Sequence, residues 1–217
     1  MRCAVMIPTY NERDNIARLL GRLFELELPP GDDLRVVVVD DDSPDGTGKL
    51  VEELRGVYGE DRLFCIHRKG VRGRGTAGIA GLRAALAMPE VDCILEMDAD
   101  FSHDPGYIPT MMALARHYDV VIGSRFVEGG AQTDREWWRE LLSLGANAYY
   151  RWMLGVKFRD VSGGFKCYRR EALASLDWDR FLSTGYPIGM ETVYRLYKKS
   201  FSFVEIPVIF PNRAYGV

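Results

Sequence analysis

Two carboxylates one residue apart, Asp98 and Asp100, close an apolar run in CILEMDADFSHDP (93–105). In extended backbone, residues i and i+2 point to the same side. Such a pair could share a divalent cation or divide one with a substrate phosphate, since Mg²⁺ is usually held by one or two carboxylates plus phosphates. The same residues also suit a strand-ending Asx turn. A second carboxylate run, Asp40 to Asp42 in VVVVDDDSPDGTG, follows another covered stretch. A carboxylate there can accept hydrogen bonds from a nucleobase N–H or from ribose hydroxyls. Ser43, Asp45 and Thr47 equally suit a turn that caps the next helix. The basic, glycine-rich RKGVRGRGTAG (68–78) could set backbone N–H groups and cations beside phosphates, or be a surface loop. It lacks the Gly-Lys-Ser/Thr ending of a Walker A loop and does not follow the first strand. His67, His103 and His117 have no metal-ligand spacing and read as solvated or structural. No Ser-His-Asp or Cys-His arrangement can be argued.

An alternation of elements must hold these groups. Apolar, β-branched runs predict strands over 3–8, 34–40, 62–67, 92–97 and 119–125. Helical spacing predicts helices over 11–26, with Asn11 as N-cap, and over 47–59 and 76–88. A further helix over 104–117 has Asp104 as cap and Pro105 at its first position. That β-α-β-α order predicts an α/β fold: a parallel, doubly wound sheet flanked by helices, with ligands at the carboxyl ends of the strands. Beyond residue 125 the pattern loosens into a loop (129–135), an aromatic-rich helix (138–154) and later strands in GGFKCYR (163–169) and FVEIPVIF (203–210).

The 217 residues suffice for one domain, 1–217. Apolar content of 47% and charged content of 27% are those of a globular chain. A net charge of −3 gives no support to a nucleic-acid partner. Cys3, Cys65, Cys93 and Cys167 lie far apart with no CxxC pair, which reads as buried, reduced thiols in a cytoplasmic protein. No signal peptide is visible, and no apolar run approaches the ~20 residues that span a bilayer, so a membrane link is expected to be peripheral or through a partner.

Taken together, IPTYNE (7–12), VVDDDSPDGTG (38–48), EMDADFSHDP (96–105), IGSRFVEGG (122–130), SGGFKCYRREAL (162–173) and FVEIPVIFPNRAYG (203–216) resemble the polyprenol- or dolichol-phosphate mannose synthases. These are family-2 inverting glycosyltransferases, and the resemblance runs in order over essentially the whole chain. It implies a single GT-A (Rossmann-like) domain with a mostly parallel central sheet. It further implies a GDP-mannose donor, a Mg²⁺ or Mn²⁺ ion and a polyprenyl or dolichyl phosphate acceptor. By position, Pro8, Tyr10, Glu12, Asp40 and Asp42 match nucleoside-binding residues. Asp98, Ala99 and Asp100 match the metal and diphosphate motif. Arg125, Arg139 and Ser143 match acceptor-phosphate residues, and Arg213 an arginine near both phosphates. The chain departs from the family at Ser102, where some relatives have glutamine, and at SLGAN (143–147), where SRGAN is usual. The family's closing RxxGxSK is represented by NRAYGV, where the chain stops.

The mechanism implied needs no general base, because a phosphate monoester with a second pKa near ~6 is already mostly dianionic at neutral pH. Glu191 is the carboxylate to suspect should one be needed; packing on a helix is its other reading. Rival readings are a UDP-glucose-dependent polyprenyl-phosphate glucosyltransferase, a transferase to a soluble or glycan hydroxyl, a nucleotidyltransferase and a non-catalytic subunit. The nucleotidyltransferase is disfavoured, since PTYNE stands where its glycine-rich first loop belongs. A membrane surface would meet REWWRELLSLGANAYYRWMLGVKF (135–158). There Trp137, Trp138, Tyr149, Tyr150 and Trp152 alternate with Arg135, Arg139, Arg151 and Lys157, and with Leu141, Leu142, Leu144 and Met153. Core packing is the competing expectation for these aromatics.

Overall fold

The computed structural model describes residues 1–70, 72–133, 137–183, 185 and 187–211; the side chains at 137, 139 and 140 lie outside that set. Strands β1 (Arg2–Thr9), β2 (Asp33–Asp40), β3 (Leu63–His67), β4 (Cys93–Glu96) and β5 (Val120–Ser124) fall where the apolar runs predict them. Helices α1 (Arg13–Phe24), α2 (Thr47–Tyr58), α3 (Arg74–Leu86) and α4 (Ile108–Ala115) separate them. Then follow a short β6 (Ala131–Gln132), the long α5 (Trp137–Leu154), β7 (Lys166–Arg169), α6 (Arg170–Ala174), α7 (Pro187–Lys198), β8 (Phe203–Pro207) and β9 (Ile209–Phe210). Seven strands form one sheet in the order β3-β2-β1-β4-β7-β5-β8, and β6 pairs with β9 beside it.

The central strands read as unbroken apolar runs because both faces are covered. Cys3, Val5 and Ile7 of β1, with Val36 and Val38 of β2, pack on Ile16, Leu19, Met111 and Met112 of α1 and α4. Ala4, Met6, Val37 and Val39 face the opposite way, toward Ala77, Leu82 and Ala85 of α3 and Val193 and Leu196 of α7. The α3 approach is close: a Cβ on Gly81 would collide with Met6 Cγ and stand 2.8 Å from Val39 Cγ2.

Three features depart from the sequence expectation. First, β7 runs antiparallel to both neighbours, β4 and β5. The excursion through α5 begins and ends at the carboxyl edge of the sheet, so the next strand enters there and runs back. Second, α6 and α7 fill a region in which the sequence pattern set no helix bounds, beyond the reading of Glu191 as packed on a helix. Third, Asn11 does not cap α1; it takes a positive φ of 57°, and Glu12 stands at the N-cap. The first amides of α1 are satisfied from the start of α2 instead. Glu12 N–H donates to Thr47 Oγ1 at 3.0 Å and Arg13 N–H to Asp45 Oδ2 at 3.1 Å. At 104–105 the expectation holds, with Asp104 Oδ1 accepting from Gly106 N–H at 3.0 Å ahead of a 3-10 turn that leads into α4.

Candidate active site

A cleft of about 200 Å³ opens at the carboxyl ends of β1, β2 and β4. Pro8, Thr9, Tyr10 and Glu12 line it from β1, Asp98, Ala99 and Asp100 from the end of β4, and Asp41, Arg74 and Ala77 complete it. Asp98 and Asp100 therefore share one cavity, as their spacing suggested. The turn reading is also realised, for Asp100 Oδ1 accepts from Ser102 N–H at 3.0 Å and Ser102 Oγ–H at 2.6 Å. Asp98 Oδ1 accepts from both Nε (3.0 Å) and Nη2 of Arg74, the first residue of α3. The Asp98 backbone N–H donates to His103 Nδ1 at 2.8 Å. His103 is buried and stacked on Phe165 with ring centroids 4.9 Å apart. Burial pushes the His103 pKa down, against the opposing pull of Asp98, so its structural role is as a neutral acceptor that fixes the Asp98 turn. Two carboxylates with oxygen donors only suit a hard divalent ion such as Mg²⁺ or Mn²⁺.

Strand alternation sorts the three consecutive aspartates. Asp40 points to the α1–α2 face, where its carboxylate accepts from Thr9 Oγ1 at 3.1 Å and from Ser43 Oγ at 2.5 Å and N at 3.0 Å. Asp42 is exposed with a positive φ of 56°. Asp41 faces the cleft. It accepts from Arg68 Nη1 at 2.6 Å and from Gly73 N–H at 2.8 Å. The structure thus brings Asp41 into the cavity and leaves the carboxylates of Asp40 and Asp42 outside its lining.

The glycine-rich segment folds back on the site through its arginines. Besides Arg68 and Arg74, Arg72 donates to Tyr10 Oη at 3.1 Å and lies 5.0 Å from that ring's centroid. A basic run before a helix was the only sequence signal for these contacts, since their partners are tens of residues away.

Arg125 lies beyond the cleft lining at the end of β5. Its Nε and Nη2 donate to the two oxygens of Asp160 at 2.8 and 2.9 Å, and Nη2 also reaches Ser162 Oγ at 3.1 Å. Asp160 is fully buried and accepts two backbone N–H groups as well, from Arg125 and Gly163. Arg125 Nη1 makes no hydrogen bond among the described residues. Beneath the cleft, Glu96 and Lys166 are register partners on β4 and β7, both buried. Burial lowers the Lys166 pKa to about 8 and raises that of Glu96. Neither Asp160 nor Lys166 stood out in the sequence.

Glu191 has a structural post. It accepts from the backbone N–H groups of Leu182 and Ser183, the latter at 2.9 Å, and pairs with Arg195 at 2.6 Å. Burial would push its pKa up, but those donors hold it below the usual glutamate value. Arg213 and the side chain of Arg139 lie outside the described residues. Ser143 is half-buried on α5. That helix is fastened by Asn147, whose Nδ2 donates to Arg159 C=O and whose Oδ1 accepts from Val161 N–H at 3.1 Å. Tyr150 and Leu154 pack on the core. Leu141, Leu142, Leu144, Tyr149, Trp152 and Met153 are exposed, Trp152 by 80%, and an open apolar depression runs between Trp138, Leu141, Leu142 and Ala146. Core packing thus claims Tyr150 but not Tyr149 or Trp152. No helix among the described residues is long and apolar enough to cross a membrane.

The profile of glycosyl transferase family 2 matches residues 4–177. The chain is 39% identical over 217 residues to polyprenol monophosphomannose synthase of Mycolicibacterium smegmatis, covering all of this chain and 80% of that one. It is 37% identical over 216 residues to undecaprenyl-phosphate mannosyltransferase of Micrococcus luteus, covering 100% and 86%. Among solved structures, glucosyl-3-phosphoglycerate synthase from Mycobacterium tuberculosis with bound phosphoglyceric acid superposes with a TM-score of 0.68 at 20% identity, over 100% of this chain and 72% of that one. The same enzyme with Mn²⁺, uridine diphosphate and glucosyl-3-phosphoglycerate gives 0.67 at 18%, with the same coverage. At that identity the likeness bears on the fold alone, a GT-A arrangement.

Proposed function

The chain belongs to glycosyl transferase family 2, and on that premise we propose that it transfers mannose from GDP-mannose to a polyprenyl phosphate, of dolichyl type or similar, with inversion at the anomeric carbon. The observation that carries the reading is the convergence of Tyr10, Asp41, Asp98 and Asp100 on one cleft at the strand ends, in a chain whose full-length relatives are named for polyprenyl-phosphate mannosylation. Pro8, Tyr10, Glu12 and Asp41 serve the nucleoside, Asp41 as an acceptor for base or ribose N–H and O–H groups. Asp40 and Asp42 act indirectly, by shaping the turn that presents Asp41.

Asp98 and Asp100 are the residues that would hold a Mg²⁺ or Mn²⁺ ion against the diphosphate. Bound there, such an ion supplies charge neutralisation to the departing nucleoside diphosphate. Arg74 brings a guanidinium to the same cleft, and its Asp98 contact keeps that carboxylate in place. On the acceptor side, Asp160 fixes the plane of the Arg125 guanidinium, which leaves Nη1 to donate to a phosphate oxygen. Arg139, Ser143 and Arg213 complete the phosphate site in this reading. The acceptor oxygen attacks the anomeric carbon from the face opposite GDP as the bond to the diphosphate breaks. The dianion has no proton to lose, so no base is required, and the commitment of Glu191 to backbone amides accords with that.

A polyprenyl chain stays in the bilayer, so the enzyme must meet its phosphate at the membrane surface. The exposed Leu141, Leu142, Tyr149, Trp152 and Met153 on α5 are the surface we assign to that contact, at the cytoplasmic face. The test is transfer from GDP-[¹⁴C]mannose to a short polyprenyl phosphate, read by organic extraction, with and without Mg²⁺. Label in the organic phase that GDP suppresses better than UDP supports the assignment. Transfer from UDP-glucose at an equal or higher rate would replace it with the glucosyl reading.

A further inference from the structure

At the far edge of the sheet, three side chains of different chemistry meet on the α2 side of β3. Cys65 and His67, two apart on the strand, point to the same face, and Glu52 comes down from α2. One donor atom from each, Sγ, a ring nitrogen and a carboxylate oxygen, lie within 4.8 Å of one another. We propose that Glu52, Cys65 and His67 form a binding site for a single borderline-soft divalent cation, Zn²⁺ first among them.

The donor set and its spacing agree with that ion. Zn²⁺ takes thiolate, imidazole and carboxylate at about 2.0–2.3 Å in a tetrahedron, which puts neighbouring donors about 3.3–3.7 Å apart. His67 Nε2 and Glu52 Oε1 stand 3.2 Å apart, almost one such edge. The other carboxylate oxygen is held from behind, as metal-bound carboxylates usually are: Arg55 Nη1 donates to Glu52 Oε2 at 2.7 Å, while Arg55 Nε binds Leu63 C=O at 3.1 Å. Glu52 can therefore turn Oε1 to a cation without giving up Arg55. An entry path exists, since the Glu52 and His67 side chains are 38% and 42% exposed, and water can fill the fourth position. Among the described residues, the Cys65 thiol makes only a long contact to Gly48 C=O, at 3.8 Å. Burial, then the nearby Glu52 and Asp40 carboxylates, push its thiol up to about 12. That negative surrounding is what a dication would meet. Loading forms the sulfur–metal bond and releases the thiol proton to solvent. The other close donor set, Cys3, Cys93 and Cys167, lies fully buried in the apolar core and offers no entry path.

The site stands one residue before Arg68, which binds Asp41 in the cleft. A cation there would pin α2 to the edge strand where the 68–73 loop begins. It is independent of the mannosyl-transfer reading and of the hard-ion carboxylates Asp98 and Asp100.

Titration with Co²⁺ in excess Mg²⁺ tests it, because Mg²⁺ takes oxygen-only sites and leaves the mixed donor set to cobalt. The expected result is one equivalent of Co²⁺ with tetrahedral d–d absorption and a thiolate-to-cobalt charge-transfer band. Cys65→Ser should abolish that band. His67→Gln and Glu52→Gln should each weaken binding by more than about tenfold, the scale on which even outer partners of a metal act. Zn²⁺ alone should raise the thermal midpoint of the wild type and not of Cys65→Ser. Absence of the charge-transfer band, or its survival in Cys65→Ser, overturns the proposal. If Cys65→Ser fails to fold, the exposed-site variant His67→Gln decides: cobalt affinity unchanged by it overturns the site equally.

Discussion

Asp160→Asn isolates one buried carboxylate and the arginine it orients. Asp160 has no exposed surface, and the Arg125 side chain is 13% exposed. The carboxylate accepts from Arg125 N, Nε and Nη2 and from Gly163 N. An amide offers one oxygen, able to accept two hydrogen bonds, and turns its NH₂ toward donors. It also leaves the guanidinium without its counter-charge. Removing one partner of a buried ion pair costs about 3–5 kcal/mol, and the two unmatched donors put this case toward the upper end. At about 2–4 °C per kcal/mol for a chain of this size, the thermal midpoint should fall by roughly 6–20 °C. Burial raises the Asp160 pKa, but the Arg125 hydrogen bonds and charge outweigh it and hold the folded value below the usual one. Its stabilisation is therefore present above the unfolded pKa of about 3.9 and is lost as pH falls through the folded value. The acid-induced loss of stability below about pH 4 should be shallower in Asp160→Asn than in the wild type. Adding Arg125→Gln to Asp160→Asn should restore part of the midpoint, since no unpaired charge remains. Calorimetry across pH reads all three effects. A midpoint drop corresponding to less than about 1 kcal/mol, the level of an ordinary surface change, would refute the reasoning.

Asp98→Asn, and separately Asp100→Ala, should lower turnover by about 10²-fold or more, the usual loss when charge stabilisation of a leaving group is removed; wild-type turnover in Asp100→Ala takes that carboxylate out of the reaction. Asn147→Ala strands Arg159 C=O and Val161 N–H near the core, so thermal unfolding should register a loss of about 1–3 kcal/mol, and an unchanged midpoint would mean α5 is held by other contacts. Trp152→Ala combined with Tyr149→Ala should cut sedimentation with anionic vesicles at low salt while leaving the thermal midpoint in place, whereas Tyr150→Ala should lower the midpoint because that ring packs on the core; vesicle binding indifferent to the Trp152 and Tyr149 changes moves the membrane contact elsewhere.

Local rules sufficed for much of this protein. A strand covered on both faces must be apolar at every position, so VVVV and CILEM declare themselves without knowledge of their neighbours. The break in that run, where backbone leaves the sheet and meets water or ligand, is where Asp98 and Asp100 stand. The aromatic content of α5 was likewise visible as a composition, although which of its rings are exposed was not. Which side chains meet was another matter. Strand parity, fixed by the Thr9–Asp40 register, turns Asp41 to the cleft and Asp40 away from it. Arg68 and Arg74 find Asp41 and Asp98 only because α3 returns along the far face of the sheet. Arg125 and Asp160 are 35 residues apart in sequence, and β7 can bring the segment around Asp160 back beside β5 only by running against its neighbours. Glu191 illustrates the same division: the sequence shows a carboxylate on a helix, and the chain turn at 182–183 makes it a backbone cap. Periodicity is written into each segment, because backbone geometry repeats every two or 3.6 residues. Partnership across the sheet depends on register and strand direction, and these exist only once the whole chain has closed on its core.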